Sequence, residues 1–377
     1  MSSTPTTSAI TTILNSKNRN PTSPPTVLHL SFTQRRDYFA VGTTSGFIIF
    51  DSDPFREVIH REFTSLPTSS IIVGGGIGVI QMLFKGKITA IVGCGPTPQF
   101  TLNKVLIWDD YRSQCIAEFC FRSKVKSVRL WKDQIVVILL NKVYVYNFEE
   151  LELLRQIDTM SNPKGLCEIS RESEKVLACL GLHQGEVRVE HCASKRTNMI
   201  TAHDSNIACI ALTHDGRFLA TASSKGTLVR VFNTWDESLL YELRRGSGRA
   251  EIYSISFSMD VQWLAVSSDK ATVHVFRLNV DSRAAAAEPN NFSPTSASFL
   301  SLITGIPKYL KSQWSETRFR LPQEGIRNIV TFGQQQKNTV IIIGVDGSYY
   351  RCQFDPEARG EMIQLQHYNF LHPEQNF

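Results

Sequence analysis

Cysteine motifs, long apolar runs and an excess of one charge are all missing from this 377-residue sequence. The eight cysteines stand singly with no CxxC pair, which excludes a zinc ribbon or a disulfide scaffold and favours buried thiols in a reducing cytosol. The longest apolar stretch, residues 71–84, contains four glycines and is shorter than the ~18 residues of a membrane span. Forty Lys and Arg against thirty-five Asp and Glu leave only +5, too little for a protein that wraps nucleic acid.

Helical periodicity is equally scarce, whereas short runs of β-branched and aromatic residues bounded by Gly, Asp, Asn and Ser recur along the chain. These runs form groups of four, and most groups begin about 40 to 45 residues apart, the repeat length of a propeller blade. The first members of the seven groups begin near Val27, Ile71, Val125, Gly165, Ile207, Ile252 and Arg327. The sequence therefore predicts an all-β, WD40-like β-propeller with seven blades.

Domain boundaries follow from composition. Residues 1–26 are rich in Ser, Thr, Pro and Asn and contain no acid, which indicates a disordered N-terminal tail, with an organellar transit peptide as the alternative. We expect the propeller to occupy residues 27–371 and a short tail to occupy 372–377. The extra length of group six falls after its third strand and predicts an insertion over residues 279–317, before the fourth strand.

Motifs for catalysis are absent. The GGGIG at 74–78 completes no GxGxxG, and the sequence has no GxxxxGK[ST], HExxH or GxSxG. We therefore expect no enzyme, no cofactor and no metal site. An enzyme built on a propeller would need titratable groups that converge at the central channel, and none is indicated.

The segment Leu243-Arg244-Arg245-Gly246 closes the predicted outermost strand of blade five. Because successive strand residues point to opposite faces, one arginine is expected to face blade five and the other blade six. Hydroxyl and basic side chains surround them at Thr221, Ser223, Thr227, Arg230, Ser268, Thr272 and His274. Guanidinium forks and hydroxyls together fit a phosphate, although a solvated edge strand would show similar residues.

The predicted insertion carries the second notable feature. It contains no acid between residues 289 and 315 but many large apolar side chains: Phe299, Leu300, Leu302, Ile303, Ile306, Tyr309, Leu310 and Trp314. Such a loop is expected to dock somewhere, either on a membrane interface or against its own propeller.

Four segments together resemble one family. TASSKGTLVRVF at 221–232, LRRG at 243–246, SSDKATVHVF at 267–276 and PKYLKSQWS at 307–315 are similar to the PROPPIN family of phosphoinositide-binding β-propellers. The resemblance covers residues 27–371. It implies two rim sites for phosphatidylinositol 3-phosphate, and often for the 3,5-bisphosphate, and a membrane-inserting loop.

Residue by residue, the resemblance assigns two sets. The first site is Thr221, Ser223, Gly226, Thr227, Arg230 and Arg244, with His203 as an additional candidate. The second site is Arg245, Gly246, Ser268, Thr272 and His274.

The resemblance also implies a role in autophagy. It predicts a cytoplasmic monomer, peripheral on phagophore, endosome or vacuole membranes, that recruits the lipid-transfer protein of that pathway and other autophagy factors. No nucleic-acid partner is expected. The alternative is a WD-type protein scaffold without direct lipid binding, its arginines engaging an acidic partner and its insertion serving as a docking peptide.

Overall fold

A computed structural model describes residues 25–63, 75–83, 87–94, 100–171, 174–278 and 312–372. All regular structure in these ranges is β-strand, arranged as seven sheets that follow one another along the chain. The described ranges contain no helix that could cross a membrane. The predicted seven-bladed β-propeller is therefore confirmed.

The first four blades have four antiparallel strands each. Blade one contains β1 (Val27–Phe32), β2 (Tyr38–Thr43), β3 (Gly46–Ser52) and β4 (Phe55–Glu62). Blade two contains β5 (Ile77–Leu83), β6 (Ile88–Gly93), β7 (Lys104–Asp109) and β8 (Gln114–Cys120). Blade three contains β9 (Ser127–Leu130), β10 (Gln134–Ile138), β11 (Lys142–Asn147) and β12 (Leu153–Asp158). Blade four contains β13 (Cys167–Ile169), β14 (Val176–Leu180), β15 (Glu186–His191) and β16 (Arg196–Thr201).

The last three blades follow the same order, with an added short strand in two of them. Blade five contains β17 (Ile207–Leu212), β18 (Phe218–Ser223), β19 (Leu228–Asn233), β20 (Leu239–Arg244) and the added β24 (Gln313–Trp314). Blade six contains β21 (Ile252–Phe257), β22 (Trp263–Ser268), β23 (Thr272–Arg277), β25 (Thr317–Arg320) and the added β29 (Gly360–Glu361). Blade seven contains β26 (Asn328–Phe332), β27 (Thr339–Gly344), β28 (Ser348–Gln353) and β30 (Ile363–Asn369).

Neighbouring blades bury one another's apolar faces. On β19, Val229 and Val231 are fully buried, whereas Leu228 and Arg230, which alternate with them, are half-buried. The cluster that contains these valines also contains Ile252 and other residues of blade six. A single blade could not cover both faces of its sheet, so the ring holds together through these inter-blade cores.

The ring closes by side-chain packing, because blades one and seven share no strand. The Tyr349 hydroxyl of blade seven donates to the Ser52 carbonyl at 2.8 Å. Arg351 lies 3.1 Å from the Asp53 carboxylate just beyond the same blade-one strand. Aromatic residues of both blades fill the remaining space in one buried cluster.

The predicted blade starts agree closely with the strands, except in blade two. Six first strands begin within two residues of the predicted starts. Blade two instead begins at Ile77, six residues after Ile71. A Cβ on Gly75 would stand 2.4 Å from the Phe63 carbonyl, so this glycine serves close packing between chain segments.

The long connection of blade six runs from the end of β23 at Arg277 to the start of β25 at Thr317. Its last residues contain β24, a strand that the sequence did not predict. Most of the predicted membrane-inserting side chains lie outside the described residues: Phe299, Leu300, Leu302, Ile303, Ile306, Tyr309 and Leu310. The N-terminal tail as far as residue 24 and residues 373–377 lie outside them as well.

All eight cysteines are free thiols, but they are not all buried as expected. Cys115 and Cys120 are exposed. Both belong to β8, the outermost strand of blade two, where side chains meet solvent.

Candidate functional site

The outer strand β20 ends at Arg244, and Arg244 and the following Arg245 point in different directions. Leu243 is fully buried in the core between blades five and six, so Arg244 projects from the opposite face of the strand. Arg245 follows and lies near two blade-six residues. Its charge helps to lower the pKa of His274, and the Asp269 carboxylate partly offsets the effect of burial on the pKa of Arg245.

Four other polar residues share the face of Arg244. Thr221 is paired with Arg230 across β18 and β19, and Arg230 is paired with Glu242 across β19 and β20. Ser223 and Arg244 each stand two positions further along their strands, so all five side chains lie on one face of blade five. The fold thus brings together Thr221, Ser223, Arg230 and Arg244 of the predicted first site.

His203 joins this face from the connection that precedes β17. Its Nε2 lies 2.9 Å from the Thr221 Oγ1, and Thr221 is fully buried. Burial and the charge of Arg230 lower the pKa of His203 to about 4. The imidazole is therefore neutral at neutral pH.

Arg230 is already engaged within the protein. Its Nε and Nη2 donate to Glu242 Oε2 at 3.0 and 2.9 Å, and its Nη1 donates to the Ala202 carbonyl at 2.8 Å. These three contacts make Arg230 a fixed support for the face. Arg230 therefore has fewer free N–H donors for a ligand than the sequence alone suggested.

Arg244 has a different environment. Its Nε donates to Ser312 Oγ at 2.9 Å, and its guanidinium carbon lies 6.0 Å from the centre of the Trp314 ring. Within the described part of the chain it forms no ion pair with a carboxylate. Most of its donors therefore remain available to an anion.

Arg245 is held by the turn between β18 and β19. Its Nε donates to the Gly226 carbonyl at 2.9 Å, and its Nη2 donates to the Gly248 carbonyl. Its backbone N–H donates to the Thr227 carbonyl at 3.0 Å. Gly226 and Thr227, which the resemblance groups with Arg244, thus contact Arg245 directly.

The turn requires glycine at position 226. Gly226 has a φ of +64°, and a Cβ there would stand 1.8 Å from the Ala250 carbonyl oxygen. Gly246 differs, because its φ is not left-handed and a Cβ there would meet nothing within 4 Å. Open space therefore adjoins Arg245.

The predicted second set lies on the face of blade six that is turned toward blade five. Val266 belongs to the core between these blades and is paired with His274, so His274 lies on that face. Ser268 and Thr272 stand two positions from Val266 and His274 and share it. Ser268 is buried, and the Thr272 hydroxyl donates to the Lys270 carbonyl at 3.1 Å.

His274 is half-buried beside the end of the insertion. Its Nδ1 lies 3.1 Å from Ser315 Oγ. Burial, with the charges of Arg245 and Arg318, lowers the pKa of His274 to about 4. Its ring is neutral at neutral pH and surrounded by positive charge.

The insertion returns to the rim at the arginines. The strand β24 runs parallel to β20, with Gln313 beside Leu243 and Trp314 beside Arg244. Trp314, a predicted membrane-inserting residue, is 54% exposed. Sequence reasoning missed Ser312 and Ser315 as neighbours of the site. The only available signal was their position within the PKYLKSQWS segment.

Comparisons with known proteins agree on one family. The PROPPIN family model matches residues 27–371. Autophagy-related protein 18e of Arabidopsis thaliana is 42% identical over 92% of this chain and 88% of its own length. Autophagy-related protein 18 of Dictyostelium discoideum is 31% identical over 92% and 94%.

Solved structures show the same fold. Hsv2 of Kluyveromyces lactis superposes with a TM-score of 0.72 at 22% identity, covering 92% of this chain and 99% of Hsv2. KlAtg21, solved in complex with the coiled-coil of AgAtg16, gives a TM-score of 0.74 at 23% identity over 92% and 99%. With the family model matched across all seven blades, the chain belongs to the PROPPIN family.

Proposed function

We propose that this chain is a non-enzymatic phosphoinositide effector that binds phosphatidylinositol 3-phosphate, and the 3,5-bisphosphate, through two rim sites. The observation that carries the proposal is the divergence of Arg244 and Arg245 to the two sides of β20. Neither guanidinium forms an ion pair with a carboxylate in the described ranges. Arg244 shares its face of blade five with Thr221 and Ser223, and Arg245 lies near His274.

In the first site, Arg244 supplies the free guanidinium fork, while Thr221, Ser223, Arg230 and His203 form the wall behind it. In the second site, Arg245 lies near His274, which shares its face of blade six with Ser268 and Thr272. We assign the inositol ring to the open side of Gly246. Guanidinium groups bind phosphate oxygens in pairs, and hydroxyls add directional donors without adding charge.

The two sites and the insertion act together. Each headgroup site binds weakly, but once one lipid is held the second site and the apolar loop meet the same membrane. A gain of about 10² to 10⁴ over a single site is reasonable for linked contacts of this kind. Trp314, half-exposed beside Arg244, is suited to headgroup depth at the membrane interface.

The cellular role follows from the relatives. Proteins 31% and 42% identical to this chain are named autophagy-related, so we place the chain in autophagy, peripheral on phagophore, endosome or vacuole membranes. KlAtg21 was solved with the coiled-coil of AgAtg16, which supports recruitment of other autophagy factors by this chain. Recruitment of the lipid-transfer protein rests on the family resemblance alone.

Liposome flotation tests the lipid assignment. Arg244→Thr combined with Arg245→Thr should abolish flotation with liposomes that contain phosphatidylinositol 3-phosphate. Arg122→Thr with Lys124→Thr removes the same charge from exposed residues between β8 and β9 and should float normally. Normal flotation of the Arg244 and Arg245 variant would favour the protein-scaffold alternative.

A second experiment separates recognition from insertion. Replacing Leu302 and Ile303 with Ser should weaken flotation but leave binding of the soluble inositol 1,3-bisphosphate headgroup unchanged. Trp314 is kept, because it lies beside Arg244. The matched control is Leu153→Ser with Leu154→Ser, which alters two exposed apolar residues of blade three. Equal loss of flotation and headgroup binding would mean that the insertion serves folding instead of the membrane.

A further inference from the structure

The connection from β20 to β21 contains a serine directly after the rim arginines. Residues 244–249 read Arg-Arg-Gly-Ser-Gly-Arg, and the order Arg-Arg-x-Ser occurs once in the sequence. Serine kinases that select basic substrates recognise arginines two and three positions before the serine, because carboxylates of the kinase bind the guanidinium groups. The local sequence therefore marks Ser247 as a candidate acceptor of a phosphoryl group.

Ser247 is exposed on a segment that the fold holds at both ends. At one end the Arg245 N–H donates to the Thr227 carbonyl at 3.0 Å. At the other end the Ala250 N–H donates to the Lys225 carbonyl at 3.2 Å. The serine hydroxyl is therefore presented to solvent while the strands on either side stay paired.

Space for a phosphate or for an enzyme is open on both sides of Ser247. A Cβ added to Gly246 or to Gly248 would meet nothing within 4 Å. Arg244, three positions before the serine, keeps most of its N–H donors available. A kinase can thus reach Ser247 and Arg244 in the folded chain, whereas Arg245 is buried and would take part only if the turn opened.

Three cations border the exposed serine: Arg245, Arg249 and Lys225. The Arg245 guanidinium donates to the carbonyl of Gly248, the residue after Ser247, and two of its five N–H groups are used in this contact and the one to the turn. Arg249 and Lys225 are exposed and form no ion pair within the described part of the chain. A phosphate on Ser247 would bring a charge of about −2 and three acceptor oxygens among these donors.

Two carboxylates also border this connection, and both are already engaged. Glu251 lies 2.8 Å from Lys164. Asp269 lies 3.4 Å from Lys270, and its Oδ1 accepts a hydrogen bond from the Glu251 backbone N–H at 3.0 Å. Positive charge therefore remains in excess around the serine.

We propose that Ser247 is a phosphorylation site for a kinase that selects arginine-containing substrates, and that its phosphate occupies the second rim site in place of a headgroup phosphate. The γ-phosphoryl group of ATP is transferred to the Ser247 Oγ. The new O–P bond forms as the bond between the γ-phosphorus and the oxygen that bridges it to ADP breaks, and the hydroxyl proton passes to the base of the kinase. The effect on lipid binding rests on the proposed function, which assigns the inositol ring to the open side of Gly246. Arg249 and the free donors of Arg245 would hold the phosphate, so a headgroup would have to displace it.

Phosphorylation of the full chain in vitro tests the site itself. The probe is the catalytic subunit of cAMP-dependent protein kinase with ATP and Mg²⁺, and mass spectrometry locates the phosphate. We expect phosphate on Ser247, and Arg244→Thr should slow its addition by about 10-fold or more, because a charge-assisted contact to the kinase is lost. Arg122→Thr, at an exposed residue between β8 and β9, is the control and should not change the rate. Absence of phosphate from Ser247, or an equal rate in the Arg244→Thr variant, would overturn the site.

A chain made with phosphoserine at position 247 tests the effect on the rim. In an Arg244→Thr background, which isolates the second site, affinity for soluble inositol 1,3-bisphosphate should fall by about 10-fold or more, because the phosphate engages Arg245. The matched control carries phosphoserine at the exposed Ser123, which also lies between two basic residues, and should bind as the unmodified chain does. Equal headgroup affinity with and without phosphate at position 247 would overturn the competition.

Phosphorus NMR tests the phosphate contact without any lipid. The second pKa of the phosphate at position 247 should be lower in the folded chain than in the urea-unfolded chain, because nearby cations favour the dianion. Arg249→Gln should raise that pKa, and Arg122→Gln should not. A phosphate pKa that is equal in the folded and unfolded chains would overturn the contact. If the unmodified chain bound no headgroup, the proposed function would fail, and the NMR result would still decide whether the phosphate is held.

Discussion

Arg244 donates a hydrogen bond to Ser312 at 2.9 Å, although 68 positions separate the two residues in the chain. Arg244 ends the outer strand of blade five, and Ser312 begins the described end of the insertion. The contact ties the end of the insertion directly to Arg244. Under the proposed function, it would link lipid recognition to the position of the loop.

The first prediction concerns this contact. Ser312→Ala leaves the Arg244 Nε without its serine partner, so the guanidinium must be ordered when a headgroup binds. In an Arg245→Thr background, which isolates the first site, affinity for inositol 1,3-bisphosphate should fall about 3- to 10-fold. Ser301→Ala, also within the predicted insertion, is the control. Equal affinity with and without Ser312 would show that the contact does not position Arg244.

The two arginines should differ in their effect on stability. Arg245 is only 8% exposed and donates to two backbone carbonyls, whereas Arg244 is half-buried with one hydroxyl contact. A lysine cannot reproduce the fork, so Arg245→Lys should lower the free energy of unfolding by ~1 to 3 kcal/mol. Arg244→Lys should cost less than 1 kcal/mol, as expected for a partly exposed contact. Urea denaturation measures both, and the reverse order would contradict the described geometry.

Substitution by alanine should affect stability at one glycine of the rim and ligand binding at another. Gly226→Ala places a Cβ 1.8 Å from the Ala250 carbonyl oxygen at a left-handed φ, and should cost at least ~2 kcal/mol of stability. Gly246→Ala meets nothing and should leave the unfolding midpoint within error. It should nevertheless weaken headgroup binding to the second site, because the methyl group occupies space beside Arg245. Unchanged headgroup affinity in Gly246→Ala would place the ligand elsewhere.

Stability should fall as the pH drops from about 6.5 toward 4. Burial and neighbouring arginines lower the folded-state pKa of His203 and of His274 to about 4, so the unfolded chain binds protons first. Each histidine then lowers the free energy of unfolding by up to ~1.4 kcal/mol per pH unit in this window, and neither contributes above it. Urea denaturation at pH 7.5 and pH 5 should show a smaller difference for His203→Gln than for the unaltered chain. The exposed His183 is the control, and an equal difference in His203→Gln and His183→Gln would contradict the assignment.

The blade repeat was readable from sequence because each blade has the same physical requirement. Alternating apolar residues, such as Val229 and Val231, face a neighbouring blade, and turn residues recur at fixed intervals. The sequence did not show that the first strand of blade two begins at Ile77. Gly75 and Gly76 before this strand pack closely against Phe63 and Cys94, which belong to other segments of the chain.

The candidate site was predictable only in part. Strand alternation correctly separates Arg244 from Arg245, because the rule concerns neighbouring residues. Alternation could not indicate that Arg230 donates hydrogen bonds to Glu242 and to the Ala202 carbonyl. Nor could it indicate that Arg245 donates to the Gly226 carbonyl. Each of these contacts depends on which of several nearby partners the arginine side chain meets in the folded protein.

The sequence by itself determined the number of blades, the place of the insertion and the opposite directions of the two rim arginines. Local periodicity specifies these features, because it is a property of consecutive residues. Only the tertiary structure brought Ser312 to Arg244, and Arg36 of blade one to the Phe257 carbonyl of blade six. Closing seven blades into a ring makes neighbours of residues that are far apart in the sequence, and no local pattern in the chain indicates which residues will meet.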